Sequence, residues 1–154
     1  ETKEAIESKL MLFYLNIKRD ASEILTVQSR ETQNKRSHLR RMKSLVGDIS
    51  EIFSNNKKGN ILGEILHQGW EIKRTLTEEV STDQIDKYYQ DARDAGAVGG
   101  KLLGAGGGGF LLLYVEKQNQ EAVIDTLSDL FYLPVKFDDG GSRITYYDQT
   151  TVLN

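Results

Sequence analysis

Apolar positions change their period several times along the chain, and each change marks an element. Residues Thr2 to Ser8 read as helix, and Leu10 to Ile17 (LMLFYLNI) is an apolar and aromatic run of strand length. Asp20 to Arg30 predicts a helical turn or a short helix. From Lys35 to Asn56 the apolar residues are Leu39, Met42, Leu45, Val46, Ile49, Ile52 and Phe53. Their spacing places them on one helix face, an arc of about 140° at 100° per residue. Gly59, after Lys57 and Lys58, supplies a helix stop. A second helix spans Ile61 to Leu76, with Ile61, Leu62, Ile65, Gly69, Ile72 and Leu76 as its core stripe.

Ser81-Thr82-Asp83-Gln84 reads as a capping box, Ser81 bonding forward and Gln84 reaching back. It starts a helix through Ile85, Tyr88, Tyr89 and Ala92 that ends at Gly96. Ala97 to Leu103 and Phe110 to Glu116 are strands. Phe110 to Val115 is apolar at every position, as a strand covered on both faces should be. Gln120 to Phe131 is a further amphipathic helix. Pro134 to Phe137 and Arg143 to Tyr147 are short strands joined by the turn Asp138 to Gly141. About four or five strands with helices packed on them predict an α+β fold.

Composition narrows the chemistry. The 154 residues suit one domain, and 38% apolar with 28% charged residues is a globular balance. No apolar run approaches the roughly 20 residues of a membrane helix. A net charge of −3 gives no whole-molecule attraction to nucleic acid, and no membrane or nucleic-acid partner is expected. The basic cluster Lys35, Arg36, His38, Arg40, Arg41 and Lys43 spreads around its helix and reads as a solvated surface. There is no Cys, which excludes disulfides, thiolate nucleophiles and Cys-ligated zinc. Two His leave little for a histidine-built metal centre, and no metal-binding residues are assigned. The chain opens on Glu1 in mid-pattern, with no basic-then-apolar leader ahead of its first element. The expectation is a piece of something longer, in a cytoplasmic setting.

Of 14 glycines, eight fall between Gly96 and Gly109. Between the two strands there, Gly104 to Gly109 contains five glycines and Ala105. Glycine permits positive φ and close approach of another backbone or a phosphate, and successive N–H groups can form an anion-binding nest. Gly104-x-Gly106-x-x-Gly109 formally matches the dinucleotide fingerprint, but that motif opens a helix, whereas a strand pattern follows here. The phosphate-loop pattern fails too. Leu102 follows Lys101 where Ser or Thr must hold magnesium, and Ala95 stands where the first Gly should be. The plainer alternative is a glycine-rich hairpin that merely allows tight packing.

The stretch Ala92 to Phe110 (ARDAGAVGGKLLGAGGGGF) resembles the third motif of the GHMP kinases, the superfamily of galactokinase, homoserine kinase, mevalonate kinase and phosphomevalonate kinase. Leu12 to Leu25, Leu66 to Lys73 and Gly141 to Asp148 resemble its sugar-kinase branch, which contains the D-glycero-D-manno-heptose 7-phosphate kinases. The likeness spans nearly the whole chain. It departs at Asn16, where relatives tend to carry Gly.

The resemblance implies a ferredoxin-like C-terminal domain over residues 1–154, with a mainly antiparallel sheet of about four strands. The N-terminal half, carrying the main phosphate loop, is absent from this chain and would be its partner. The implied reaction moves the γ-phosphoryl of ATP to a sugar hydroxyl, with a heptose 7-phosphate as acceptor. A phosphomevalonate or mevalonate kinase domain and a non-catalytic binding module are the rival readings. ATP and Mg²⁺ would be held mainly by the absent half. The catalytic residues are expected there as well, so the fragment alone should be inactive. The resemblance sets Lys101, Gly104, Ala105, Gly106, Gly107 and Gly108 beside the phosphates. Lys101 would brace the loop or reach a phosphate. Lys18, Arg19 and Asp20 would lie near the acceptor, unless they are simply a charged turn after a buried strand. His67, Trp70 and Arg74 lie about 140–200° from the core arc of their helix, with Lys73 at the flank. That face would line a sugar pocket, Trp70 offering a stacking surface. Otherwise it is a solvated face with Trp70 packed on a neighbouring element.

Overall fold

A computed structural model describes residues 2–54 and 60–146. Helix α1 (Thr2–Glu7) leads into strand β1 (Leu10–Tyr14). Helices α2 (Ala21–Glu31), α3 (Arg36–Ser54), α4 (Ile61–Arg74) and α5 (Asp83–Asp94) follow, with a 3-10 turn at Glu78–Val80. Strands β2 (Ala97–Leu102) and β3 (Phe110–Val115), helix α6 (Gln120–Thr126) and strand β4 (Phe131–Pro134) complete the order. The strands form one antiparallel sheet in the order β2-β3-β1-β4. Strand, helices, hairpin, helix, strand is the ferredoxin-like arrangement, so the expected α+β class and strand number hold.

Both faces of the sheet are covered, as the unbroken apolar run of β3 required. Leu111, Leu113 and Val115 enter the main core with Met11, Phe13, Trp70, Ile85, Tyr89, Val123 and Leu127. The alternating Leu112 and Tyr114 pack with Ile6, Leu10, Leu62 and Leu66. On its other side α4 gives Ile65 and Ile72 to Leu45 and Ile52 of α3. Helix α4 is therefore a middle layer. It reaches β2 through a backbone crossing: a Cβ at Gly99 would stand 2.0 Å from the carbonyl oxygen of Gly63, and one at Gly63 would stand 2.8 Å from Val98. Any side chain there would push the helix off the sheet.

Several boundaries differ from the sequence reading. Strand β1 stops at Tyr14 because Asn16 turns the chain with φ of 51°, a left-handed conformation in which Gly is unstrained and Asn is the best-tolerated replacement. The cap of α5 is Thr82, whose hydroxyl accepts from the Ile85 amide at 3.3 Å. Ser81 instead donates to Asp86 and Gln84 to Tyr88, so there is no capping box at Ser81. Helix α6 ends at Thr126, and the final strand begins at Phe131, three residues ahead of the expected Pro134. The cross-strand pairs Leu12–Leu133 and Phe13–Tyr132 set that register. Residues 143–146 form no strand, and Tyr147, like the helix stop at Gly59, lies outside the described residues. On α3, Leu39 and Val46 are exposed, so its buried stripe is narrower than the pattern suggested.

Candidate functional site

The β2–β3 connection is built against backbone from distant segments. The Gly107 amide donates to the Val80 carbonyl at 2.9 Å, and the Gly109 amide to the Ile17 carbonyl at 3.2 Å. The Gly109 carbonyl in turn accepts from the Leu15 amide at 2.9 Å. A Cβ at Gly106 would meet Val80 Cα at 2.8 Å, and one at Gly108 would meet the Ile17 oxygen at 2.2 Å. Gly106 also has φ of 123°, which an L side chain rarely adopts. The glycines serve close approach and turning at once.

Two loop carbonyls, and that of Leu102 at the end of β2, are engaged from the side. Lys73 Nζ donates to the Gly104 carbonyl at 2.6 Å and to the Leu102 carbonyl at 3.3 Å. Gln28 Nε2 donates to the Ala105 carbonyl at 3.2 Å. Burial, together with the nearby charge of Lys101, pulls the Lys73 ammonium down to about 8. Among the described residues, the amides of Gly104, Ala105, Gly106 and Gly108 have no protein acceptor.

Beside this loop runs an open groove of about 520 Å³. Lys18, Arg19 and Ala21 line it together with Gly104, Ala105 and Gly106. Tyr14 and Phe110, their rings 5.1 Å apart, line the groove as well. Lys18 and Arg19 are exposed, and among the described residues neither is in an ion pair. Two exposed cations and several residues whose backbone N–H groups have no protein acceptor line the same groove, which makes a surface suited to an anion. Among the described residues no group of three or more His, Asp or Glu is placed to hold a metal ion. Among the described residues no helix is long and apolar enough to cross a membrane.

Lys18, Arg19 and Lys73 are thus brought to the glycine loop, whereas Asp20, His67, Trp70 and Arg74 are not. Asp20 caps α2, accepting from the Ser22 amide at 2.8 Å; the Ser22 side chain first, and this amide second, hold its carboxyl below the usual range. Trp70 has no exposed surface and packs in the main core against Tyr89, so it presents no stacking face to a sugar. His67 Nδ1 lies 2.7 Å from the Tyr89 hydroxyl, with the rings stacked. Burial pushes that hydroxyl up to about 12, which keeps it a neutral phenol. Arg74 pairs with Asp86 at 2.6 Å and with Glu71 at 3.1 Å. Of that helix face, Lys73 alone touches the loop. Lys101 lies on β2 opposite Leu112 and acts on Lys73 through its charge. Sequence reasoning missed Gln28, Tyr89 and the Val80 carbonyl. No local pattern marks them, since each acts across a large sequence separation.

The profile of the family described as GHMP kinases, C terminal, matches residues 50–133. The chain is 29% identical over 124 residues to the D-glycero-alpha-D-manno-heptose 7-phosphate kinase of Campylobacter jejuni, covering 79% of this chain and 36% of that protein. It is 41% identical over 66 residues to the mevalonate kinase of Thermococcus onnurineus, covering 42% of this chain and 20% of that protein. It resembles the crystal structure of Methanococcus jannaschii mevalonate kinase with a TM-score of 0.70 at 20% identity, covering 86% of this chain and 41% of that one. The last is a likeness of fold. The chain spans well under half the length of each of these relatives.

Proposed function

Since the chain belongs to the GHMP kinase C-terminal family, we propose that it is the C-terminal part of an ATP-dependent sugar or sugar-phosphate kinase. The reaction moves the γ-phosphoryl of ATP to a sugar hydroxyl, and the acceptor is a heptose 7-phosphate. The observation that carries this reading is the groove lined by Lys18, Arg19 and the glycine loop, where both cations and several of the amides lack protein partners among the described residues. Phosphoryl transfer is chiefly positioning and charge stabilisation, for which fixed N–H donors and cations are suited. An N-terminal half would bring the main phosphate loop, the magnesium and the catalytic groups to this wall. Lys18 and Arg19 then offer charge to an acceptor phosphate. The heptose 7-phosphate kinase relative supports the acceptor because its likeness covers most of the chain, whereas the likeness to the mevalonate kinase of Thermococcus onnurineus covers less than half.

An acceptor screen with the complete enzyme tests the proposal. Heptose 7-phosphate, fucose, mannose, mevalonate and phosphomevalonate are offered with Mg·ATP, and ADP release is followed. Turnover with heptose 7-phosphate above the others is expected. Turnover with mevalonate or phosphomevalonate alone would move the assignment to the rival branch. The 154 residues by themselves are expected to release no ADP.

A further inference from the structure

An anion cradle of main-chain groups has an inherent weakness. Each peptide carries an acceptor as well as a donor, and a glycine peptide turns over easily. A loop of several glycines could present its carbonyls to a phosphate as readily as its amides. The loop needs something to choose between the two.

The peptide planes here are trans, so the C=O and N–H of one plane point in opposite directions. Lys73 fixes the Gly104 carbonyl, and thereby aims the Ala105 N–H away from Lys73. Gln28 fixes the Ala105 carbonyl, and thereby aims the Gly106 N–H away from Gln28. Neither Lys73 nor Gln28 lines the groove, whereas Gly104, Ala105 and Gly106 do. The two amides in question are among those with no protein acceptor. Lys73 comes from α4 and Gln28 from α2, so two separate elements hold two consecutive peptides.

We propose that Lys73 and Gln28 are positioning residues that hold the Gly104–Ala105 and Ala105–Gly106 peptides with their carbonyls turned inward and their amides turned to a phosphate in the groove. This removes Lys73 from the sugar pocket and gives it a task on the loop. The burial that makes its ammonium costly is consistent with a cation held for its carbonyl partners, since Lys101 beside it offers repulsion only. The inference rests on reading the groove as a phosphate site.

The test uses the complete enzyme and inorganic tripolyphosphate as probe, with hydrogen exchange read on the peptide containing Ala105 and Gly106. In the native enzyme, tripolyphosphate should slow exchange there by tenfold or more. K73M and Q28L should lose most of that protection and raise the KM for ATP by about tenfold, while kcat at saturation changes much less. K73R keeps a donor and should recover the protection. If the native enzyme shows no protection, the groove is not a phosphate site and the functional reading fails with it. If the native enzyme is protected and both variants are protected equally, the groove stands and the positioning role is overturned. Should K73M fail to fold, Q28L at the half-buried Gln28 of α2 decides alone, retained protection at Gly106 being the overturning result.

Discussion

Glycine does two different jobs in neighbouring parts of this molecule. At the α4–β2 crossing, Gly63 and Gly99 have no positive φ; they are glycine because a Cβ at Gly99 would fall 2.0 Å from a backbone oxygen. At the turn beyond β2, Gly104 has φ of 73° and nothing within 4 Å of a built Cβ. The first pair is required by packing, the second by backbone conformation. Gly108 is intermediate in an informative way, because it sits in the turn yet is constrained by the Ile17 carbonyl. Being in a glycine-rich loop does not reveal which constraint a given glycine meets.

Substitutions can break that distinction, and the largest effect belongs to the crossing. G99A should destabilise the chain by about 3 kcal/mol, because helix and strand must both shift. For a domain of this size that is roughly 6–12 °C in Tm, read by calorimetry. A native-like Tm for G99A would show that the crossing is looser than described. G108A should cost about 2 kcal/mol by urea denaturation, through the same kind of backbone clash. G104A meets no neighbour, so its cost is only that of holding an L residue in the left-handed region, about 1 kcal/mol. If G104A proved as harmful as G99A, the contrast would collapse. N16G is the smallest case. It removes the mild strain of Asn at φ of 51° but loosens the unfolded chain, and stability should change by less than about 0.5 kcal/mol.

Lys73 adds a pH dimension that the glycines lack. Its folded value is about 8 and its ordinary one is 10.5. Between those limits the unfolded chain binds more protons, so this group's contribution to stability rises with pH; below pH 8 its penalty is fully present. From pH 7 to 9.5, native stability should gain on K73M by on the order of 1 kcal/mol, the full shift being discounted for solvent screening of a partly exposed ammonium, as measured by denaturant titration at both pH values. The cause is burial first and the Lys101 charge second.

The strand–helix order and the loop's location were legible because they rest on periodicity and on an unusual run of one residue type. The double coverage of β3 was legible for the same reason. Trp70 was not. A helical wheel with one core arc assigns the opposite side to solvent, but α4 is a middle layer with α3 on one side and the sheet on the other. Trp70, opposite Ile65, is therefore buried as well, and His67 and Arg74 are half-buried. The slip of the last strand has a similar origin. The segment from Leu130 to Val135 is short and apolar in either register, and only pairing with β1 selects Phe131–Pro134. Lys73 stood at the flank of a supposed sugar face; its partners are carbonyls, which leave no trace in a sequence.

The carbonyls that seat the glycine loop come from Ile17 and Val80, far from Gly107 and Gly109 along the chain. Such contacts close large loops of polypeptide and form only after the intervening segments have docked. The cradle thus depends on tertiary docking and not on the loop's own sequence alone. A synthetic peptide of residues 97–115 would carry every glycine of the turn and still lack the two oxygens that shape it.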